Sequence, residues 1–493
     1  MSIYEGRSGD LNNIMFQGTA SNVGKSIISA GICRVLWQDG YRVGPFKSQN
    51  MSLNSYIDKY GGEMGRAQVF QAEACNLLPR AYMNPILLKP SGNHMSQLIM
   101  KGKFIKNISS SDYQDLKPDL VGWLDKVYQR YQRDFDIVVL EGAGSPVEIN
   151  INKLDISNME MARIADSPVV LVADIDRGGV FASIVGTLSL MSDEERSRVK
   201  GVIINKFRGR KDYFSEGVRL LEDIIKIPVL GVVPYQKLGI DEEDGVSEKT
   251  YKEAKQVYRK DKLNVVVLKL DHMSNYTDFN VFEHIEGLEL SYISPDQDLE
   301  AFDGQNGQVG PDLLIIPGSK NTLGDMERLN KSPMRDQILA YSKRGGLIVG
   351  LCGGYQMLGQ TIRDDRGLDG SRGKVDGLGL LEVDTVFGSD KITGQVRWNF
   401  GHEEGYFFGL EDSQIEGYET HLGRTYPGPD DNYKIKDGHI MGTYCHGLFD
   451  SAGFLSGLLN NIAKARGLAR TFEIKDYRAI KNEEYNKLAD LIR

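Results

Sequence analysis

The segment that most constrains this chain is Gly18-Thr19-Ala-Ser-Asn-Val-Gly24-Lys25-Ser26, set between an apolar run at Ile14–Phe16 and a helical pattern at Lys25–Gln38. A strand that turns through a glycine-rich loop into Lys-Ser and a helix is a phosphate-binding loop (P-loop) on a parallel sheet. Small residues let backbone N–H groups close on phosphate oxygens, and the helix N-terminus adds positive potential. Lys25 can reach outer phosphates, and the Ser26 hydroxyl can join a Mg²⁺ shell. Gly40 stops the helix, as glycine commonly does just past a helix end. Five residues separate Gly18 from Gly24, where the common form of the loop has four.

The rest of the first half fits that loop. Apolar runs at Ile137–Leu140, Val169–Ala173, Val202–Asn205 and Pro228–Val233 alternate with helical patterns such as Ser157–Ile164. Such alternation predicts an α/β unit with a doubly wound parallel sheet over residues 1–237. A charged stretch at 238–262 reads as a linker. A second strand series then begins with Leu263–Leu270 and continues through Leu313–Ile316 and Leu347–Leu351, so that 263–493 forms a second unit. Its closing helices are expected near Ala452–Arg466 and Asn482–Ile492. The length of 493 residues accommodates two such units.

Composition narrows the partners. The 59 basic and 68 acidic side chains leave a net charge of −9, which argues against a nucleic-acid surface. No apolar run reaches bilayer length, and the polar start of the chain lacks a signal-peptide core. Cys33, Cys75, Cys352 and Cys445 are far apart, without metal-site spacing, so a reducing cytoplasm is the expected compartment.

Polar residues at strand ends are the candidates around the phosphates. Glu141 closes the strand at Ile137–Leu140 and is placed for Mg²⁺ beside the loop. Asn205 ends another strand and could read adenine through its amide, or cap a turn. Lys47, Gln49 and Asn50, in the polar stretch Pro45–Asn54, are expected to face the phosphate side of the sheet.

A second constellation lies at Gly345–Gly359, where an apolar strand runs into Cys352, then Gly353, Gly354 and a helix carrying Gln356. This is a nucleophile elbow: the turn forces the side chain out above the sheet, and the glycines keep the space clear. The following helix N-terminus favours thiolate. The Gly353 N–H can face a developing oxyanion, with a second donor from Pro317-Gly318-Ser319. His446, about 90 residues beyond the cysteine after a strand-like Ile440–Tyr444, is the chosen base, and His421 its competitor.

The thiol elbow resembles the class I glutamine amidotransferases, in which cysteine attacks the glutamine amide and releases ammonia. That family usually carries a glutamate two residues after the histidine, but here the position is Leu448. The departure resembles the corrinoid amidases, which work with a Cys–His pair. The lengthened phosphate loop is similar to that of dethiobiotin synthetase. Both together, with Ser96–Gly102, 141–150, Tyr418–Thr425 and Thr443–Asp450, resemble the cobyric acid synthase family over nearly the whole chain. Lys-Ser-Gln-Asn at 47–50, where the related a,c-diamide synthases carry acidic residues, favours that family.

The resemblance implies a flavodoxin-like amidotransferase domain following the P-loop domain. It implies amidation of the b, d, e and g carboxylates of adenosylcobyrinic acid a,c-diamide through acyl phosphates, in adenosylcobalamin biosynthesis. ATP and Mg²⁺ would serve as cofactors, and corrinoid, glutamine and ATP as small-molecule partners, with no nucleic acid or membrane. It also places Asp155 near the corrinoid carboxylates, although a helix N-cap would explain the same residue. Two other readings stand beside it. One is a different glutamine-dependent ligase, such as the a,c-diamide synthase. The other is a P-loop switch protein whose second domain only binds.

Overall fold

The computed structural model describes residues 12–92, 95–148, 154–239, 258–303, 307–401, 404–411, 413–428 and 432–493. Most of the 238–262 stretch, together with 149 and 150 of the 141–150 motif, lies outside those residues.

The first sheet has six parallel strands. Their order is Val229–Pro234, Val199–Phe207, Val169–Asp174, β1 (Asn13–Gly18), Ile137–Glu141, Val43–Phe46. The inner strands are apolar along their length because helices cover both faces. β1 sits inside the sheet, so its carboxyl end, where strand order reverses, is the natural ligand crevice. Helix α1 (Lys25–Gln38) has the bounds that the sequence predicts. The helix expected at Ser157–Ile164 begins only at Met159, because Ser157 and Asn158 donate their N–H groups to Asp155 Oδ1 in a turn.

Helix α2 (Arg66–Ala74) lies against α1 and is buried at almost every position. A smaller sheet of Gln49–Met51, Ile86–Gly92, Met95–Met100 and Lys103–Ser109 flanks the crevice. It leads into helix α3 (Ser110–Tyr131), which Ser109 caps by accepting the Asp112 N–H at 3.1 Å.

The second large sheet runs Leu288–Ile293, Leu263–Leu268, Leu313–Ile316, Leu347–Leu351, Ile440–Thr443, with Tyr433–Lys436 antiparallel at its edge. Counted along the chain, its five parallel strands lie in the order 2-1-3-4-5, the flavodoxin-like arrangement. A long hairpin, Asp384–Asn399 with Gln414–Tyr426, reaches toward the first half.

The two halves share buried polar contacts. Glu63 is 1% exposed and takes Lys89 Nζ at 2.7 Å from its own half and Lys391 Nζ from the hairpin. Thr393 donates to the Gly61 carbonyl at 3.1 Å. The closing helix, Tyr477–Ile492, packs on α1, burying Tyr485 and Leu488 beside Ile28 and Cys33. Its Lys481 pairs with Glu73 of α2 at 2.8 Å. No helix among the described residues is long and apolar enough to cross a membrane.

Candidate active site

The phosphate loop forms as its sequence requires. Gly24 has φ +93°, and a Cβ there would lie 2.1 Å from Asn205 Nδ2. That amide nitrogen donates to the Val23 carbonyl at 2.9 Å, so Asn205 clamps the loop in addition to lining the cavity. Lys25 Nζ rests on the carbonyls of Ala20 and Gly144, each at 3.1 Å. Gly18 and Thr19 lead into the loop, and the Thr19 N–H bonds to the Val172 carbonyl at 3.0 Å.

Glu141 is the hub of this half-site. Its Oε1 accepts from Ser26 Oγ at 2.7 Å and pairs with Lys47 Nζ at 2.8 Å, and its Oε2 accepts from Gln71 of α2. Burial alone would raise this carboxyl, but Lys47 and Ser26 hold it below its ordinary range. A hydroxyl and an ionised carboxylate converging beside phosphate-binding N–H groups are the hard-oxygen donors that Mg²⁺ takes. The residues present therefore fit the ion.

Gln49 accepts from the Tyr113 hydroxyl at 2.6 Å, and Asn50 is buried beside it on the same strand. Asp155 is half-buried. Its Oδ1 closes the turn described above, while its Oδ2 has no hydrogen-bond partner among the described residues. All of these line one cavity of about 540 Å³, shared by Lys25, Ser26, Lys47, Gln49, Asn50, Glu141, Asp155 and Asn205.

The thiol half-site is assembled from the carboxyl ends of the second sheet. Cys352 has φ 51° and ψ −105°, the strained backbone of an elbow. A Cβ at Gly354 would lie 1.9 Å from the Ile316 carbonyl oxygen, so no other residue fits there. A Cβ at Gly318 would lie 3.5 Å from His446 Cε1, and one at Gly353 only 2.7 Å from the Ser319 nitrogen. The segment after Leu313–Ile316 thus closes over the elbow. Gln356 donates to the Tyr444 hydroxyl at 3.2 Å, and its Oε1 is buried without a hydrogen-bond partner among the described residues.

His446 is 1% exposed and borders the cysteine. His421 is occupied elsewhere: its Nδ1 donates to the Gly423 carbonyl at 2.7 Å and its ring stacks on Tyr444. The group that orients His446 escapes the sequence reading altogether. Asp278 Oδ2 lies 2.7 Å from His446 Nδ1, and Asp278 Oδ1 accepts the Gly447 N–H at 3.1 Å. Burial would push this imidazole down, but the Asp278 carboxylate and the Cys352 sulfur raise it to about 9. The shift favours the protonated ring, the form that can give a proton to a leaving group. Asn275, in left-handed backbone at φ 53°, sets its amide 2.9 Å from Nε2.

One short helix joins the two half-sites. Arg66, the first residue of α2, donates to the Tyr418 hydroxyl at 2.8 Å, and the Tyr418 ring stacks on His446. Gln71, five residues on, holds Glu141. Five residues of helix span only about 7.5 Å. Around it, Ser55 N–H donates to Asn275 Oδ1 at 3.3 Å, and Tyr276 N–H donates to Asn54 Oδ1 at 3.2 Å.

Comparison with known proteins agrees with this division. The family model for the CobQ/CobB/MinD/ParA nucleotide binding domain matches residues 14–245, and that for the CobB/CobQ-like glutamine amidotransferase domain matches residues 264–454. A cobyric acid synthase of Clostridium botulinum (strain Alaska E43 / Type E3) is 46% identical over 492 residues, which cover 97% of this chain and 96% of that one. The chain belongs to the cobyric acid synthase family. Family members of the same name from Alkaliphilus metalliredigens (44% identical, covering 97% of each chain) and Clostridium novyi (45%, covering 98% and 95%) match as fully. Like the rest of the family, the chain is a glutamine-dependent amide ligase with a nucleotide-binding P-loop domain.

Proposed function

We propose that the chain uses ATP and glutamine to amidate the b, d, e and g carboxylates of adenosylcobyrinic acid a,c-diamide. The observation that carries this reading is the joining of the two half-sites through the buried helix α2, whose Arg66 bonds Tyr418 beside His446 and whose Gln71 holds Glu141.

The chemistry follows from the residues. Cys352 attacks the glutamine side-chain amide, and N–H groups at Gly353 and Gly318 face the oxyanion. His446, held by Asp278, gives its proton to the departing ammonia. Gln356, on the helix that follows the cysteine, would contact the glutamine. In the other half, Lys25 leaves the loop carbonyls for the outer phosphates of ATP, whose adenine lies toward Asn205. Ser26 and Glu141 would hold Mg²⁺, which when bound neutralises phosphate charge. A carboxylate is a poor acyl donor because its leaving group would be oxide. Transfer of the terminal phosphoryl group of ATP onto it gives an acyl phosphate, whose acyl carbon ammonia attacks to form the amide as inorganic phosphate leaves. Lys47, Gln49, Asn50 and Asp155 line the wall where that carboxylate arrives. On this reading residues 1–237 supply the ligase and 263–493 the glutaminase, joined by 238–262, in the cytoplasm.

The direct test is product mass after incubation with the a,c-diamide, ATP, Mg²⁺ and amide-labelled glutamine. Stepwise uptake of four labelled nitrogens is expected. Glutamine hydrolysis without uptake would leave the architecture standing and refute the acceptor.

Asp278 gives a second test. Asp278→Asn keeps the shape but removes the charge that holds the imidazolium. The glutaminase rate should fall by a factor on the order of 10²–10⁴. Because the carboxylate raises His446, its loss must lower that pKa. The alkaline limb of the pH profile, near 9 in the parent, should move to lower pH in the variant. An unmoved limb would show that Asp278 does not act through His446.

A further inference from the structure

The phosphate cavity has two ends, and strand order separates them. Glu141 and Lys47 lie at the ends of Ile137–Glu141 and Val43–Phe46, on one side of β1. Asn205 and Pro234 lie on the other side, in Val199–Phe207 and Val229–Pro234, the second and third strands away from β1. Both groups line the same cavity. The acceptor carboxylate comes to the polar wall beside Glu141. A nucleotide whose outer phosphates rest on Lys25 and Ser26 therefore extends its base the opposite way, over the strands that carry Asn205 and Pro234.

That end of the cavity is apolar. Ile27 of α1, Val233, Leu238 and Leu491 line it, and all four are half-buried. Among the described residues, Leu491 is the one lining residue that comes from the second half of the chain. It sits in the last turn of the closing helix, Tyr477–Ile492, which lies beyond both matched family regions, 14–245 and 264–454. The helix is fastened at this place. Next to Leu491, Ile492 fits against α1 so closely that a Cβ on Gly31 would lie 2.1 Å from its Cδ1. Glu484 accepts the Gly239 N–H at 2.8 Å, beside Leu238, and Arg34 of α1 donates to Asn486 at 2.9 Å. Leu488, three residues before Leu491, is fully buried. Leu491 keeps an open side, and that side is the cavity. An apolar cup with an amide at its edge suits a flat base, whose faces are apolar and whose rim is polar. Laying the ring on Leu491 removes apolar area of both from water.

We propose that the closing helix completes the nucleotide site of the ligase half, with Leu491 packed against the base, an assignment that rests on ATP being the phosphoryl donor. The last helix of the chain then follows the glutaminase in sequence but serves the ligase in space.

The test is equilibrium binding of ADP and of pyrophosphate, each with Mg²⁺, to the full chain. Neither can transfer a terminal phosphoryl group to the acceptor as ATP does, and they differ by the nucleoside. Leu491→Ala should weaken ADP about tenfold, the scale of a leucine contact given up, and leave pyrophosphate within about twofold of the parent. Leu491→Met, which conserves volume, should keep most of the ADP affinity. In turnover, the KM for ATP should rise in Leu491→Ala while kcat at saturating ATP stays near the parent's.

Unchanged ADP affinity in Leu491→Ala overturns the assignment. So does an equal loss for ADP and pyrophosphate, which would mark a disturbed α1 and phosphate loop. If Leu491→Ala does not fold, the parent decides. Irradiated with bound 8-azido-ADP or 2-azido-ADP, which carry the reactive group at opposite edges of the ring, it should be labelled on the tryptic peptide Leu488–Arg493. Label confined to the first half with both reagents overturns the assignment. A parent that binds pyrophosphate as tightly as ADP has no base subsite, which also overturns it, and one that binds neither refutes ATP itself.

Discussion

Cys352→Ala should abolish amidation from glutamine while ammonium salts still support it at close to the parent's maximal rate. The expected loss with glutamine is a factor on the order of 10⁴–10⁶, the scale seen when a nucleophile is removed from a hydrolytic site. The fold should tolerate the change. The sulfur makes a weak contact to the Thr420 carbonyl at 3.8 Å and borders His446, and the strained backbone is set by Gly353, Gly354 and the strand before them. Among the described residues the phosphate half-site has no hydrogen bond to the cysteine, and Glu141 is held by Ser26, Lys47 and Gln71. Synthesis from both nitrogen sources, measured side by side as product formed per minute, decides the matter. Loss of both would mean that the thiol supports the ligase site as well, and that the division of labour is wrong.

What could be read from sequence were the features that carry their own local chemistry. The phosphate loop declares itself because strand, glycines, Lys-Ser and helix are contiguous, and α1 has the predicted bounds. The elbow does so because Cys352 needs its two glycines next to it. The strands at Leu313–Ile316 and Leu347–Leu351 form where their apolar runs lie, since a doubly covered parallel strand has no other pattern.

Asp278 could not be read in this way. It is 168 residues from His446 in sequence and sits in a short 3-10 segment, Tyr276–His284, with no motif around it. The position where an acid is usual is Leu448, which is fully buried in the core. Only the fold, by placing the ends of Leu263–Leu268 and Ile440–Thr443 on one edge, brings the pair together. The same holds for α2. Its low amphipathicity reads as nothing in particular, because one end serves the glutaminase through Arg66 and the other the phosphate site through Gln71. The strand Gln49–Met51 was hidden by its polar composition, which reads as a loop, and its pairing with Ile86–Leu88 is long-range. The closing helix was legible as a helix, but its attachment to α1 was not: Arg34 meets Asn486 across 452 residues.

Lys25→Met should produce the complementary failure, with amidation lost from glutamine and from ammonia alike. Phosphoryl transfer depends on positioned positive charge, and removing one such donor costs on the order of 10²–10³ in rate. The loss should not come from unfolding. Lys25 donates to the carbonyls of Ala20 and Gly144. Bonds of this kind contribute about 1 kcal/mol each, against a total stability of about 5–15 kcal/mol for an ordinary domain. Lys25→Arg should not restore activity, because the fork of a guanidinium does not fit a loop shaped around a single ammonium. Cys352 and His446 are untouched, so basal glutamine hydrolysis should persist in Lys25→Met, with ammonia released to solvent rather than fixed. The ratio of glutamine consumed to amide formed separates the two outcomes. It should rise far above one if Lys25 serves only the phosphates. If hydrolysis stops as well, ATP binding must govern the thiol site, and α2, with Gln71 at Glu141 and Arg66 at Tyr418, is the element through which it would do so.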